Sequence, residues 1–400
     1  MISFDNTENA FKAKSDEDLK RSYQLFKLIG NPGLVKFGSF FTPIALNIGF
    51  KGLIKNTIFK QFVGGENIDD CSKTIAELGK YNIGTILDYS VEGKESEQDF
   101  DHCLEETLDT IKKANGDKNI PFCVFKVTGL ARFALLEKVS STALRQAQDA
   151  SSDTKGQEKL SPGERSEWQK VQDRVNKICR AAAEAKQPLF IDAEESWIQQ
   201  AIDDLANANM EEFNKQSTIV YNTYQLYRKD RLSFLQKTVE TAKHKGFHVG
   251  AKLVRGAYME KERKRAAENN YPSPIQDNKE NADTDYNKAL EFCIENIEHM
   301  AVCAGSHNEK SSLLLVQLME KKGIDKSDKR IYFSQLLGMS DHISYNLSLN
   351  GYNVAKYVPY GPVKEVLPYL MRRAQENTSV KGQTGRELSL IIKEKQRRKA

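Results

Sequence analysis

Eight short runs rich in β-branched and aromatic residues, each followed by a stretch of helical period, constrain this chain more than any other feature. They fall at 83–87, 122–127, 189–191, 218–221, 248–254, 300–304, 330–333 and 354–358. Near-continuous apolarity within each run is what parallel strands covered on both faces require. Eight consecutive β-α units point to an α/β fold of the closed (β/α)8 or TIM-barrel kind rather than an open doubly wound sheet. The spacing places this barrel at 69–378. Residues 1–68 hold helical patterns at 16–28 and 35–62 and no strand, and read as an N-terminal helical arm. A segment at 137–167, rich in Gln, Ser, Asp and Lys, reads as an inserted helical hairpin, with Ser161-Pro162-Gly163-Glu164 restarting a helix. Residues 379–400 read as a basic C-terminal tail.

Composition excludes several classes of function. With 59 basic residues against 55 acidic ones the net charge is only +4, too mild for a nucleic-acid binder. Six cysteines lie scattered with no CxxC or finger spacing, as expected of buried free thiols in a reducing compartment. The first residues lack a basic n-region and an apolar h-region, so the expectation is a cytoplasmic chain. The longest apolar run, 37–50, falls short of a membrane span. The 35–62 segment and the basic cluster at 393–399 are the candidates for a peripheral membrane contact.

A barrel of this kind builds its active site where strands run into the following loops. The polar residues there are Asp88 and Glu92 after the first strand, Lys126 late in the second, and Asp192, Glu194 and Glu195 after the third. Asn222 and Tyr224 follow the fourth, Lys252, Arg255 and Tyr258 come from the fifth, and Ser306, His307 and Asn308 follow the sixth. Gln335 comes after the seventh, Tyr357 and Tyr360 from the eighth. A lysine inside an apolar strand must find an anionic partner, because an unpaired buried ammonium is too costly. Beyond the eighth strand, Val363, Val366, Leu367, Leu370 and Met371 form an apolar stripe on a helix that then carries Arg372 and Arg373. Adjacent arginines fan over one broad patch, and a small carboxylate or phosphate is the natural third party to two guanidiniums. No HxH or HExxH spacing supports a metal site, and no GxGxxG or GxxxxGK[ST] supports a Rossmann or P-loop nucleotide site. A nucleotide cofactor would have to use the barrel loops.

Five motifs together resemble the proline dehydrogenase family, in the family's order: Asp192-Ala193-Glu194-Glu195, Ala251-Lys252-Leu253-Val254-Arg255-Gly256-Ala257-Tyr258, Gly305-Ser306-His307-Asn308, Gln335-Leu336-Leu337-Gly338-Met339, and Tyr369-Leu370-Met371-Arg372-Arg373-Ala374-Gln375-Glu376-Asn377. Where many bacterial members have Arg-x-x-Lys-Gly-Ala-Tyr, this chain exchanges the charges, Lys252 and Arg255, and so is more similar to the branch that includes the eukaryotic enzymes.

The resemblance implies a monofunctional flavoenzyme on a distorted barrel, with FAD as cofactor, whose last helix lies over the carboxyl end. It would oxidise L-proline to Δ1-pyrroline-5-carboxylate, the first step of proline catabolism, and pass electrons to a membrane quinone. Carried over residue by residue, Arg372, Arg373 and Lys126 grip the proline carboxylate, and Tyr258 and Tyr357 close over its ring. Asp192, Lys252 and Tyr357 stand at the reacting centre, while Ala193, Asn222, Lys252, Arg255, Gly256, Ala257, Ser306 and His307 hold the flavin. Asp88, Glu92 and Glu376 supply supporting ion pairs. Two alternatives stand beside this: a hydroxyproline dehydrogenase, which Tyr357 disfavours by crowding a ring substituent, and a Schiff-base aldolase or lyase using Lys126 or Lys252 as a desolvated amine.

Overall fold

The computed structural model describes residues 2–29, 55–91, 94–148, 160–379 and 383–399. Its eight strands close in sequence order into one barrel. They are β1 (Ile83–Tyr89), β2 (Phe122–Phe125), β3 (Leu189–Ile191), β4 (Val220–Gln225), β5 (Val249–Val254), β6 (Met300–Gly305), β7 (Ile331–Leu336) and β8 (Val354–Tyr360). All eight expected strands are present. Several run one to four residues further at the carboxyl end, where polar residues replace apolar ones without interrupting the ladder. β2 is the exception and stops at Phe125, leaving Lys126 in the first loop position.

The chain divides into two compact units, one of residues 1–91, 307–313 and 325–400, the other of 92–306 and 314–324. The first contains β7, β8 and β1, paired parallel with Phe333 opposite Val354 and Ile83 opposite Val354. Its helices share one apolar cluster. Phe11, Leu19 and Phe26 from the N-terminal segment meet Phe59 and Phe62, Val363, Val366 and Leu370 of the helix Val363–Ser379, and Leu390 and Ile391 near the C-terminus. The second unit contains β2 to β6, also parallel, with Phe190 opposite Tyr221 and Tyr221 opposite Gly250. Phe122 stacks on Phe190 with centroids 4.4 Å apart, and Tyr221 meets both rings edge-on.

Three outcomes differ from the sequence expectation. Residues 383–397, read as a basic tail, form the helix Gln383–Arg397, which buries Leu390, Ile391 and Glu394. Its lysines and arginines conceal an apolar stripe, and Glu394 is tolerated inside because Arg397 and Arg398 both donate to it. A short helix, Thr7–Ala10, precedes the expected Asp16–Ile29. The 137–167 segment supplies the ends of two helices, Phe133–Gln148 and Pro162–Glu184, the second opened by the predicted Ser161/Glu164 capping box. Residues 149–159 lie outside the described residues, as do 30–54 of the apolar arm and Glu92. Among the described residues no helix is long and apolar enough to cross a membrane.

The C-terminal helix is therefore core. Ile391→Ala is expected to lower unfolding free energy by about 2–5 kcal/mol, the cost of a buried large-to-small change. Urea denaturation measures it, and a value near zero would return the segment to the status of a tail.

Candidate functional site

In the second unit the strand alternation decides which residues a ligand can meet. Tyr221, Thr223 and Gln225 of β4 share a face with Phe190 and Lys252, while Asn222 and Tyr224 point to the helical layer. Asn222 is fully buried: its amide donates to Asp203 at 2.9 Å and its carbonyl accepts from Thr223 N at 2.8 Å. Asn222 thereby ties β4 to the helix Ser196–Phe213. Gln225, which the sequence reading passed over, lies on the opposite face, and its Oε1 is buried with no hydrogen-bond partner among the described residues. Period-two parity was the signal that could have found it.

Around that face stand three of the expected groups. Lys252 Nζ donates to Asp192 Oδ1 at 2.5 Å and lies 5.3 Å from the Phe190 ring centroid; both charges are buried. Asp192 follows β3 directly, its N–H extending the ladder to Phe125 O. Arg255, one residue past β5, donates through Nε to Asp283 at 2.6 Å and through Nη1 to Ser306 Oγ at 2.9 Å, with its guanidinium 4.3 Å from the Tyr286 ring centroid. Arg255 is thereby aimed at the end of β6. Beyond it Gly256 adopts φ +136°, where a Cβ would come within 2.3 Å of the Tyr227 ring, so only glycine fits. Ala257 is exposed, and Ala193 and Tyr258 are half-buried. Glu194 accepts from Thr128 and Glu195 pairs with Lys261, so these two carboxylates serve the loop framework.

The first unit contains the other group. Arg373 is 8% exposed with its guanidinium 5.2 Å from the Tyr369 ring centroid, and Arg372 is half-buried. Arg373 is thus withdrawn from solvent. The helix reaches Ser379, but the side chain of Glu376 lies outside the described residues. Tyr357 is buried, and Lys356 on the opposite face of β8 pairs with Asp341 at 2.8 Å. Asp88 accepts from Ser90 Oγ. Gln335 accepts from Ser344 Oγ at 2.7 Å, and His307 Nδ1 lies 2.9 Å from Ser340 Oγ.

The chain matches the family model for proline dehydrogenase over residues 71–386. It is 32% identical to the mitochondrial proline dehydrogenase 1 of Dictyostelium discoideum, across 98% of this chain and 74% of that protein. To the hydroxyproline dehydrogenase of Xenopus laevis it is 33% identical, across 97% of this chain and 88% of the other. Among solved structures it is similar to proline utilization A from Bdellovibrio bacteriovorus, with a TM-score of 0.70 over 93% of this chain. At 19% identity that likeness is one of fold, and the chain spans 38% of that protein.

Among the carboxylates of the first unit held below their usual range, Glu309 and Asp341 are lowered far. Glu309 is held down to about 2, chiefly by the hydrogen bond from His342 and then by Arg386. Burial alone would raise Asp341, but Lys356 and Lys14 more than offset it and hold it at about 2. An unfolded carboxylate titrates near 4, so both folded values are depressed. Each contributes stability that is complete above about pH 4 and is lost as pH falls through about 2. Urea midpoints measured across pH 2–7 should fall over that window. Glu309→Gln should be less stable at neutral pH, with a shallower acid limb.

Proposed function

Because the chain belongs to the proline dehydrogenase family, we propose that it oxidises L-proline to Δ1-pyrroline-5-carboxylate with FAD as cofactor and a quinone as final acceptor. The observation that carries this reading is the buried Lys252–Asp192 pair standing with the Arg255–Ser306 donors at neighbouring strand ends, on the motifs by which the family is recognised. The donor set suits the cofactor. Arg255, Ser306 and Lys252 offer cations and a hydroxyl to an anionic, acceptor-rich dinucleotide, and the unmet Gln225 Oε1 offers an acceptor to a ring N–H. FAD, when bound, accepts the two electrons of the oxidation.

The chain's own residues bind and orient. Arg372, Arg373 and Lys126 grip the carboxylate, and charge-assisted bonds of this kind contribute about 1.5–3 kcal/mol each. Tyr258 and Tyr357 enclose the pyrrolidine ring and exclude water. Asp192, neutralised by Lys252, stands beside the reacting carbon and nitrogen. Ala193, Gly256, Ala257 and His307 line the cofactor, Asn222 acts by holding β4, and Asp88, Glu92 and Glu376 support the cations. For the clamp to act, the helix Val363–Ser379 must present its arginines to the carboxyl end of the barrel.

Hydroxyproline oxidation is the second reading, favoured by the Xenopus relative that this chain matches almost end to end. The Tyr357 ring argues for the unsubstituted substrate. Schiff-base chemistry is disfavoured because Lys252 spends its ammonium on Asp192, and an amine nucleophile must be neutral.

Anaerobic addition of proline to purified protein should bleach a flavin spectrum, and a protein that stays colourless or unbleached would sink the reading. Turnover on 4-hydroxyproline above that on proline would transfer the assignment to the second. Arg373→Met should weaken proline binding by about 10- to 100-fold while flavin content holds, as loss of one charge-assisted contact requires. Equal loss of both would show that the helix serves only the fold.

A further inference from the structure

We propose that Ser340 and Glu387 are positioning residues for His307, so that the C-terminal helix sets the orientation of a cofactor-side imidazole. The inference rests on the reading that His307 lines the flavin. Its geometry lies wholly within the first unit.

His307 Nδ1 is 2.9 Å from Ser340 Oγ, and Ser340 is fully buried. The Ser340 backbone is left-handed, φ 50° and ψ 42°, which a non-glycine residue adopts only under constraint. That constraint comes from separate segments of the chain. Ser340 N–H donates to the Glu387 carboxylate. Lys356 Nζ donates to Met339 O at 2.5 Å, and Gln61 Nε2 donates to Gly338 O at 2.8 Å. Gly338 itself has φ +73°, and a Cβ there would meet Gln61 O at 2.1 Å. The turn after β7 is therefore fixed by residues 61, 356 and 387.

Glu387 is only 3% exposed, on the helix whose Leu390 and Ile391 lie in the core. A carboxylate is stable there only if donors meet it, and the Ser340 N–H is one of them. Holding that N–H fixes where the Ser340 hydroxyl stands. The hydroxyl in turn engages Nδ1, which sets the ring plane of His307. None of the five recognition motifs contains Ser340 or Glu387.

The test is titration of the apoprotein with FAD, with thermal melting and the proline KM measured on the same variants. Ser340→Gly removes the hydroxyl and suits the left-handed backbone, so the fold should survive. It is expected to weaken FAD binding about tenfold, as loss of a supporting hydrogen bond does at ligand-holding histidines, with the melting temperature and KM unchanged. Glu387→Ala should weaken it likewise, and Glu387→Gln, which keeps an acceptor oxygen, should restore it. Combining Ser340→Gly with His307→Ala should cost no more than His307→Ala alone. If Ser340→Gly binds FAD as the parent does while His307→Ala does not, the positioning role is overturned and the flavin reading stands. If His307→Ala binds FAD unchanged, the reading beneath the inference falls instead. Loss of affinity in Glu387→Ala that tracks lost melting temperature, without rescue by Glu387→Gln, would reduce Glu387 to a structural residue.

Discussion

A buried charge survives only beside its counter-charge, and three such pairs determine what each strand face can do. Lys252 meets Asp192, Lys356 meets Asp341, and Arg231 meets Asp203. Taking any of these ions out of water costs several kcal/mol, which the partner and further hydrogen bonds must offset. The last two pairs are architectural: Lys356–Asp341 joins β8 to the helix Asp341–Leu349, and Arg231–Asp203 joins the helices Arg231–Lys245 and Ser196–Phe213; Asp203 also receives Gln199 and Asn222, and Asp341 also receives Lys14. The Lys252–Asp192 pair differs. It occupies the face shared with Phe190 and Thr223, at a strand end. A pair placed there is the one on which the proposed chemistry draws.

The same distinction explains what was legible in the sequence. Strand existence was readable because buried parallel strands must be apolar on both faces, and Leu189-Phe190-Ile191 allows little else. The barrel motifs were readable because Lys252 and Arg255 within such a run contradict a core unless they serve a site. Parity was not readable from a list of polar strand-end residues. Asn222 and Gln225 look equally suited to a ligand, yet strand parity sends the first to Asp203 and leaves the second on the face shared with Thr223 and Lys252. The C-terminal helix was hidden for another reason. Its burial depends on Phe26, Phe59 and Val363, remote in sequence, and the dense lysines and arginines at its end outweigh Leu390 and Ile391 in any local window.

Charge placement also separates the two halves of the proposed chemistry. The cofactor-side groups of the second unit are already engaged with one another: Lys252 with Asp192, Arg255 with Asp283 and Ser306. Such groups are preorganised and move little when a ligand arrives, as electrostatic catalysis requires. The arginine pair stands on a helix whose apolar face packs on the terminal segments, and the Arg373 guanidinium lies over the Tyr369 ring. Two adjacent guanidiniums lower their mutual repulsion most by sharing an anion. In the proposed reading a substrate carboxylate is an anion that both can share.

That asymmetry bears on selectivity. A clamp of cations recognises any small amino acid by its carboxylate, so discrimination for a five-membered ring must come from groups that contact carbon. Tyr357 suits that task because its burial fixes the ring, and a fixed aromatic wall rejects an added hydroxyl by both volume and desolvation. The relatives divide on this point, since one acts on proline and another on its hydroxylated form at nearly equal identity to this chain. Global similarity cannot separate two substrates that differ by one oxygen. In the proposed reading the separation falls to Tyr357 of β8, while Lys356, its neighbour on the opposite face, anchors the strand through Asp341.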